Sequence, residues 1–178
     1  METERQLLEA IRGGERAALR RLYDRYAGYA MAVGLRYVPD RDEVRDVMQD
    51  SFIKILTSIS EFSYRGEGSL KGWVNSVVAH QAISYIKEHE RLAISDQLPD
   101  ELEAEEPDVW RVPPDVLTML IGQLPTGYRT VLNLHVFERL PHNEIAQLLG
   151  ITPKTSASQY SRAKNTLARL IKNYEKTH

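Results

Sequence analysis

Cysteine is absent from the 178 residues. That excludes disulfides, thiol catalysis and zinc held by thiolates, and it fits a reducing compartment. No apolar run approaches membrane-spanning length, and the charged opening METERQLLEAIRGGERAAL has no apolar h-region. Neither membrane insertion nor a signal peptide is therefore expected, and the chain reads as cytoplasmic. Strand-like alternation of useful length, internal repeats and low-complexity runs are also missing. His80, His89, His135, His142 and His178 lack a metal-ligand spacing such as HExxH, and no nucleophile elbow occurs. In DRDEVRD no Gly stands at the sharp turn, and Ser51 occupies the place of the bidentate acid, which excludes a calcium loop. The expectation is no metal, no cofactor and no covalent chemistry, with an enzyme as the weaker class.

What is present is helical periodicity. Leu7, Leu8 and Ile11 begin one helix; Leu19, Leu22, Tyr26, Tyr29, Ala30, Val33 and Tyr37 run down a second; and Val44, Val47, Met48, Phe52, Ile55 and Ile59 make a third after a Pro39-Asp40 break. The loop EFSYRGEGS carries two glycines, and a fourth helix is expected over 70–90. Pro99, Pro107, Pro113 and Pro114 then interrupt an acidic stretch and mark a linker. Beyond it, Val116, Leu117, Leu120 and Leu124 share one helix up to a Leu124-Pro125 stop, and another helix follows over 128–137. The fold class is all-α, with two small helical domains at 4–92 and 114–176 joined by an acidic linker at 93–113. A hydrophobic share of 42% is ordinary for such a chain and suffices for its cores.

The C-terminal part holds a sharper pattern. PHNEIAQLLG predicts a short amphipathic helix with Ile145, Ala146, Leu148 and Leu149 on its apolar side and Gly150 as a tight stop. In GITPKTSASQYSRAKNTLARLI, Thr152 is placed to cap a long helix and Pro153 to occupy its first position. At about 100° per residue, Ser156, Tyr160, Ala163, Leu167, Leu170, Ile171 and Tyr174 share a core face. Lys154, Ser158, Ser161, Arg162, Asn165, Arg169 and Lys172 share the opposite one. Short helix, Gly turn and long helix together make a helix-turn-helix signature. A plain two-helix hairpin satisfies the same turn. The outer face separates the two readings: Lys154, Thr155, Ser158 and Arg162 can donate to base edges and phosphates in a major groove, and small neighbours let a backbone come close.

Charge is segregated. The formal net charge of −2 conceals seven acids and no base within residues 95–110, so the rest of the chain is net positive. Over 152–178, six bases face Glu175 alone. A basic C-terminal helix suits a phosphate backbone, and equally a solvated face.

Two further patches stand out in the N-terminal half. In DEVRDVMQDSFIKIL, Asp46, Gln49 and Asp50 lie on one polar side of a helix whose other side is apolar. Around the glycine loop, Phe62, Tyr64 and Trp73 stand beside Arg65 and Lys71. Aromatic rings and cations of this kind receive unpaired bases and their phosphates, although Phe62 and Trp73 also suit helix-end core positions. The loop lacks the Lys-Ser/Thr ending of a P-loop, which argues against nucleotide binding.

In order and spacing, these parts resemble a bacterial RNA polymerase sigma factor of the extracytoplasmic-function group. LYDRYAGYA, DEVRDVMQDSFIKIL and FSYRGEGSLKGWVNSVVAHQAISYI look like the helices that bind the polymerase clamp and open the minus-ten element. LPTGYRTVLNLHVFERLPHNEIAQLLGITPKTSASQYSRAKNTL looks like the domain that reads the minus-thirty-five element. The resemblance implies an initiation factor whose partners are RNA polymerase core, promoter DNA and an anti-sigma factor. It implies polymerase contacts from Asp46, Gln49, Asp50 and Phe52, with Phe52 packing. It implies an extruded base held over 63–69 with Tyr64 and Arg65, DNA followed by Trp73, Asn75, Ser76 and His80, and an upstream element met by Lys154, Thr155, Ser158, Ser161 and Arg162. Ala157 stands where the family often has Lys or Arg, Ser76 and His80 stand where Arg and Asn are frequent, and the fourth helix ends in acid-containing KEHER. The competing readings are a free-standing helix-turn-helix regulator with an N-terminal dimerisation or ligand domain, an interaction protein that binds no DNA, and a helical hydrolase.

Overall fold

Thr3 opens the first helix. Its hydroxyl accepts the Gln6 amide at 3.2 Å while the Gln6 side chain accepts the Thr3 amide at 2.9 Å, a reciprocal capping box that starts α1 (Glu4–Arg12). After the Gly13-Gly14 turn, α2 (Arg16–Tyr37) buries Ala18, Leu22, Tyr26, Ala30, Val33 and Tyr37, the 3.6-residue stripe of its sequence. Leu19 departs from expectation and stands exposed with Tyr23. Asp40 supplies the next cap: its carboxylate accepts the Asp42 and Glu43 amides at 2.9 and 3.0 Å, which holds its carboxyl below the usual range and starts α3 (Glu43–Ser58). A Cβ on Gly34 would lie 2.9 Å from Val44 Cγ2, so α2 and α3 pack more closely than a side chain there permits. A 3₁₀ turn, Ile59–Glu61, leads to the glycine loop and α4 (Ser69–His89).

The computed structural model describes residues 1–89 and 106–177. The chain divides into two compact units, Met1–Tyr85 and Ile86–His178. Of the expected linker, residues 93–105 lie outside the described residues, and with them Asp96, Asp100, Glu101, Glu103 and Glu105. Residues 106–113 are described, and part of them is core. A 3₁₀ turn at Val109–Arg111 repeats every three residues, which stacks Val109 and Val112 on one side. Val112 is buried in the apolar cluster of the second unit, and Val109 packs against it.

The unit has four helices, α5 (Pro114–Gly122), α6 (Thr126–Val136), α7 (His142–Leu149) and α8 (Pro153–Thr177), and the cluster draws its helical members from α5, α6 and α8. The long helix α8 packs against each of the other three. Leu124, expected within the fifth helix, lies just beyond its end, yet remains buried. The turn is closed by Arg129, itself buried, whose guanidinium donates to the Leu124 carbonyl at 2.8 Å and the Gly122 carbonyl at 3.3 Å. These are carbonyls that a helix end leaves without intrahelical partners. Among the described residues there is no strand, and no helix is long and apolar enough to cross a membrane.

Candidate nucleic-acid interface

The turn between α7 and α8 is built from its own residues. Gly150 adopts φ 68°, a left-handed conformation that side chains disfavour, and the Ile151 amide returns to the Ala146 carbonyl at 3.0 Å. Thr152 caps α8 as its sequence predicts, accepting the Thr155 amide at 3.1 Å. His142 Nδ1 meets the buried Ser156 hydroxyl at 2.8 Å, and the His142 ring stacks on His135 with centroids 4.4 Å apart. Tyr160 meets the His135 ring edge-on at 4.5 Å. Burial, then the charge of a protonated His135, lower the His142 pKa.

On α8, Lys154 and Ser161 are exposed and Ser158 and Arg162 are half-exposed, one face as expected, opposite buried Ser156, Ala163, Leu167 and Ile171. Thr155 is placed otherwise. It is 7% exposed, its hydroxyl lies 2.8 Å from that of Thr152, and it serves the helix cap instead of facing outward. Its position about 100° from Lys154 around the helix carries it toward the flank where Gln159 is also buried.

In the first unit, Asp46, Gln49 and Asp50 are exposed along α3. Phe52 is 7% exposed and packs on the Tyr23 ring at 4.7 Å, so its side chain belongs to the core and offers no polar partner a contact. Beside it Tyr23, Leu19, Ile53 and Leu56 form exposed apolar positions on α2 and α3.

The glycine loop is tied at both ends. Gly66 and Gly68 have φ of 123° and 91°, the Ser69 hydroxyl donates to the Gly66 carbonyl at 2.6 Å, and the Arg65 amide donates to Ser69 Oγ at 3.2 Å. Arg12 donates to the Phe62 carbonyl at 2.6 Å, and Phe62 packs on Trp73 with centroids 5.2 Å apart. Trp73 is accordingly half-buried. The Tyr64 hydroxyl donates to Glu67 at 3.4 Å, and burial, followed by the charge of Glu67, raises the Tyr64 pKa.

Along α4, Trp73 and His80 share a face with Ser76, whose carbonyl meets His80 Nδ1 at 2.6 Å. Asn75 does not join them. Two residues on from Trp73 it lies about 200° around the helix, half-buried, and its amide oxygen accepts the Tyr29 hydroxyl at 3.3 Å.

Sequence reasoning missed Glu4 altogether. Its carboxylate is 2% exposed and accepts the Gly68, Leu70 and Lys71 amides at 2.9, 3.0 and 3.1 Å and the Tyr26 hydroxyl at 2.8 Å. Burial pushes the Glu4 carboxyl up, but the donors from Leu70, Tyr26, Lys71 and Gly68 together outweigh it and hold the pKa below the usual range. An acid in the first turn of a helix reads as an ordinary complement to the helix dipole, so no local signal points to this role.

Comparison with known proteins places both units. Residues 22–92 match the family described as sigma-70 region 2, and residues 115–167 match sigma-70, region 4. The ECF RNA polymerase sigma-E factor of Haemophilus influenzae is 29% identical over 184 residues, with 95% of each chain covered. The RNA polymerase sigma-H factor of Pseudomonas aeruginosa is 25% identical, covering 96% of this chain and 94% of that one. The fold is shared with the sigma factor RpoE of Bartonella quintana, solved in complex with the anti-sigma factor NepR: the TM-score is 0.51 at 19% identity, over 88% of this chain and 98% of that one. The chain belongs to the sigma-70 family of RNA polymerase sigma factors, in its extracytoplasmic-function group.

Proposed function

We propose that this sigma factor binds RNA polymerase core through the exposed face of α3, with Asp46, Gln49 and Asp50 as its polar contacts, and directs initiation at promoters bearing a minus-ten and a minus-thirty-five element. The first domain spans 4–92 and the second 114–176, the latter extended at its start by the packed Val109 and Val112. The loop at 63–69, with Tyr64 and Arg65, receives an unpaired base of the minus-ten element, and Trp73 and His80 follow the opened strand. Lys154, Ser158, Ser161 and Arg162 enter the major groove of the upstream element. The factor acts in the cytoplasm, where polymerase and promoter meet, and an anti-sigma factor holds it away from polymerase until it is needed.

The observation that carries this reading is the outward face of α8, where two cations and two hydroxyl side chains follow a tight turn and leave the core to the opposite side. A recognition helix in a helix-turn-helix uses the residues of its first turns in this way. The test is transcription by purified core with genomic promoter fragments, with and without this protein, reading the transcript starts. New starts sharing two upstream elements support the reading. Absence of binding to core defeats it. At such a promoter Arg162→Ala lowers output about tenfold, the discrimination one good side-chain contact to DNA supplies. Removal of the upstream element should abolish the difference between variant and wild type.

A further inference from the structure

We propose that Glu4 is the positioning residue for the loop at 62–69, and that the exchange of carboxylates between α1 and this loop sets which unpaired base the loop admits. This rests on the reading of the loop as a base pocket. The exchange is reciprocal. Glu4 Oε2 accepts the Gly68 and Leu70 amides and its Oε1 accepts the Lys71 amide, so a carboxylate from α1 sits at the start of α4. In return, Glu67 accepts the Glu4 amide at 3.2 and 3.3 Å, so a carboxylate from the loop sits at the start of α1. Each helix start thus presents its free donors and the positive end of its dipole to an acid of the other segment.

Two features make this exchange decide the loop's shape. Gly66 and Gly68 flank Glu67 in positive-φ conformations, and glycine populates several such conformations with little preference among them. The glycines therefore permit the observed shape without selecting it: Ser69 ties the loop locally to Gly66 and Arg65, and the bonds to α1 fix Gly68 and the first residues of α4. The second feature is burial. Glu4 is 2% exposed and is additionally held by the Tyr26 hydroxyl at 2.8 Å, so its oxygens cannot drift to water. Glu67, by contrast, is exposed and shares its carboxylate with Arg25 at 3.4 Å and Tyr64 at 3.4 Å. A shift of Glu4 moves Gly68 directly, and through Glu67 it moves Tyr64.

The test uses holoenzyme assembled from core polymerase and the full chain, on the promoter found by the transcript-start assay. Templates carrying each of the four bases at every minus-ten position give the ratio of initiation between the best and worst base. Affinity for core is measured alongside. Glu4→Gln keeps the shape of the side chain but turns an amide NH₂ toward backbone donors. It should lower the ratio at one position about tenfold, the effect of losing one or two charge-assisted bonds, with core affinity unchanged. The double variant Tyr64→Ala, Arg65→Ala tests the loop reading itself.

A flattened preference at the same position in both variants supports the inference. Flattening in the loop variant alone overturns the role of Glu4 and leaves the base pocket standing. An unchanged preference in the loop variant defeats the pocket reading and this inference with it. A loss in Glu4→Gln that is equal for all bases overturns the inference, because that is the signature of less folded protein. If Glu4→Gln loses core binding, Tyr26→Phe decides. It keeps the ring and removes one bond, and should lower the ratio about threefold, the share of one buried hydrogen bond; an unchanged ratio overturns the inference.

Discussion

The loop before α4 and the turn before α8 both present a short connection in one shape, but the loop depends on a distant segment and the turn does not. The turn is closed by its neighbours: Gly150 takes the left-handed conformation, Ile151 bonds back five residues, and Thr152 bonds three residues ahead. The loop has a local tie through Ser69 but is also held by charge from far away, with Glu4 reaching Gly68 across 64 positions of sequence. A locally closed turn forms wherever its few residues lie, whereas a clasp of buried carboxylate and backbone donors exists only once α1 has docked. The first kind of closure suits a helix that must keep its outer face free. The second ties the loop to the packing of its whole domain.

The strongest way to sharpen this contrast is Glu4→Ala. It strips the acceptor from three backbone amides and one hydroxyl, and should destabilise the first unit by about 3 kcal/mol, the range for buried donors left without partners. Residue-resolved NMR across a urea titration should show α1 to α4 unfolding earlier while α5 to α8 keep their midpoint. A shift of both units together would break the comparison.

Gly150→Ala is the corresponding change in the second unit. No atom lies within 4 Å of the position its Cβ would take, so only the left-handed backbone resists, at about 1 kcal/mol. The same titration should lower the midpoint of α5 to α8 and leave α1 to α4 in place. A much larger loss would mean that the turn depends on packing, as the loop does.

The smallest effect is in pH, and its order separates the two units. His142 has a pKa below its ordinary 6.5, so the unfolded chain takes up its proton first, and the stability of the second unit begins to fall as pH drops below about 6.5. Glu4 has a pKa below its ordinary 4.5, so its contribution to the first unit is complete above about 4.5 and is lost only as pH falls through the lower folded value. Between urea titrations at about pH 7 and about pH 5.5, the midpoint of α5 to α8 should therefore fall while α1 to α4 are spared in this respect. An earlier loss in the first unit would reverse the assignment.

Much of the architecture was legible in the sequence wherever one short segment carries its own signal. The Thr152 cap, Pro153 at the first position of α8 and the Gly150 stop follow from residues no more than a few positions apart. So does the apolar stripe of α8, because helical spacing alone places Ala163, Leu167 and Ile171 together. Other readings failed at face boundaries. Thr155 and Asn75 are polar residues on helices with a polar face, yet each turns toward a hydroxyl partner that composition does not reveal. Val109 and Val112 lie among prolines and acids that read as a linker, and only their stacking on a 3₁₀ turn brings Val112 into the core with Val109 packed against it.

The helical class, the helix-turn-helix and the basic outer face of α8 follow from residues a turn or two apart, because periodicity, caps and charge act over that range. The shape of the loop before α4, the burial of Phe52 and the use of Glu4 emerge only from the folded domain. Those depend on which donors and rings arrive from segments distant in sequence, and a buried carboxylate is held in place only where they converge.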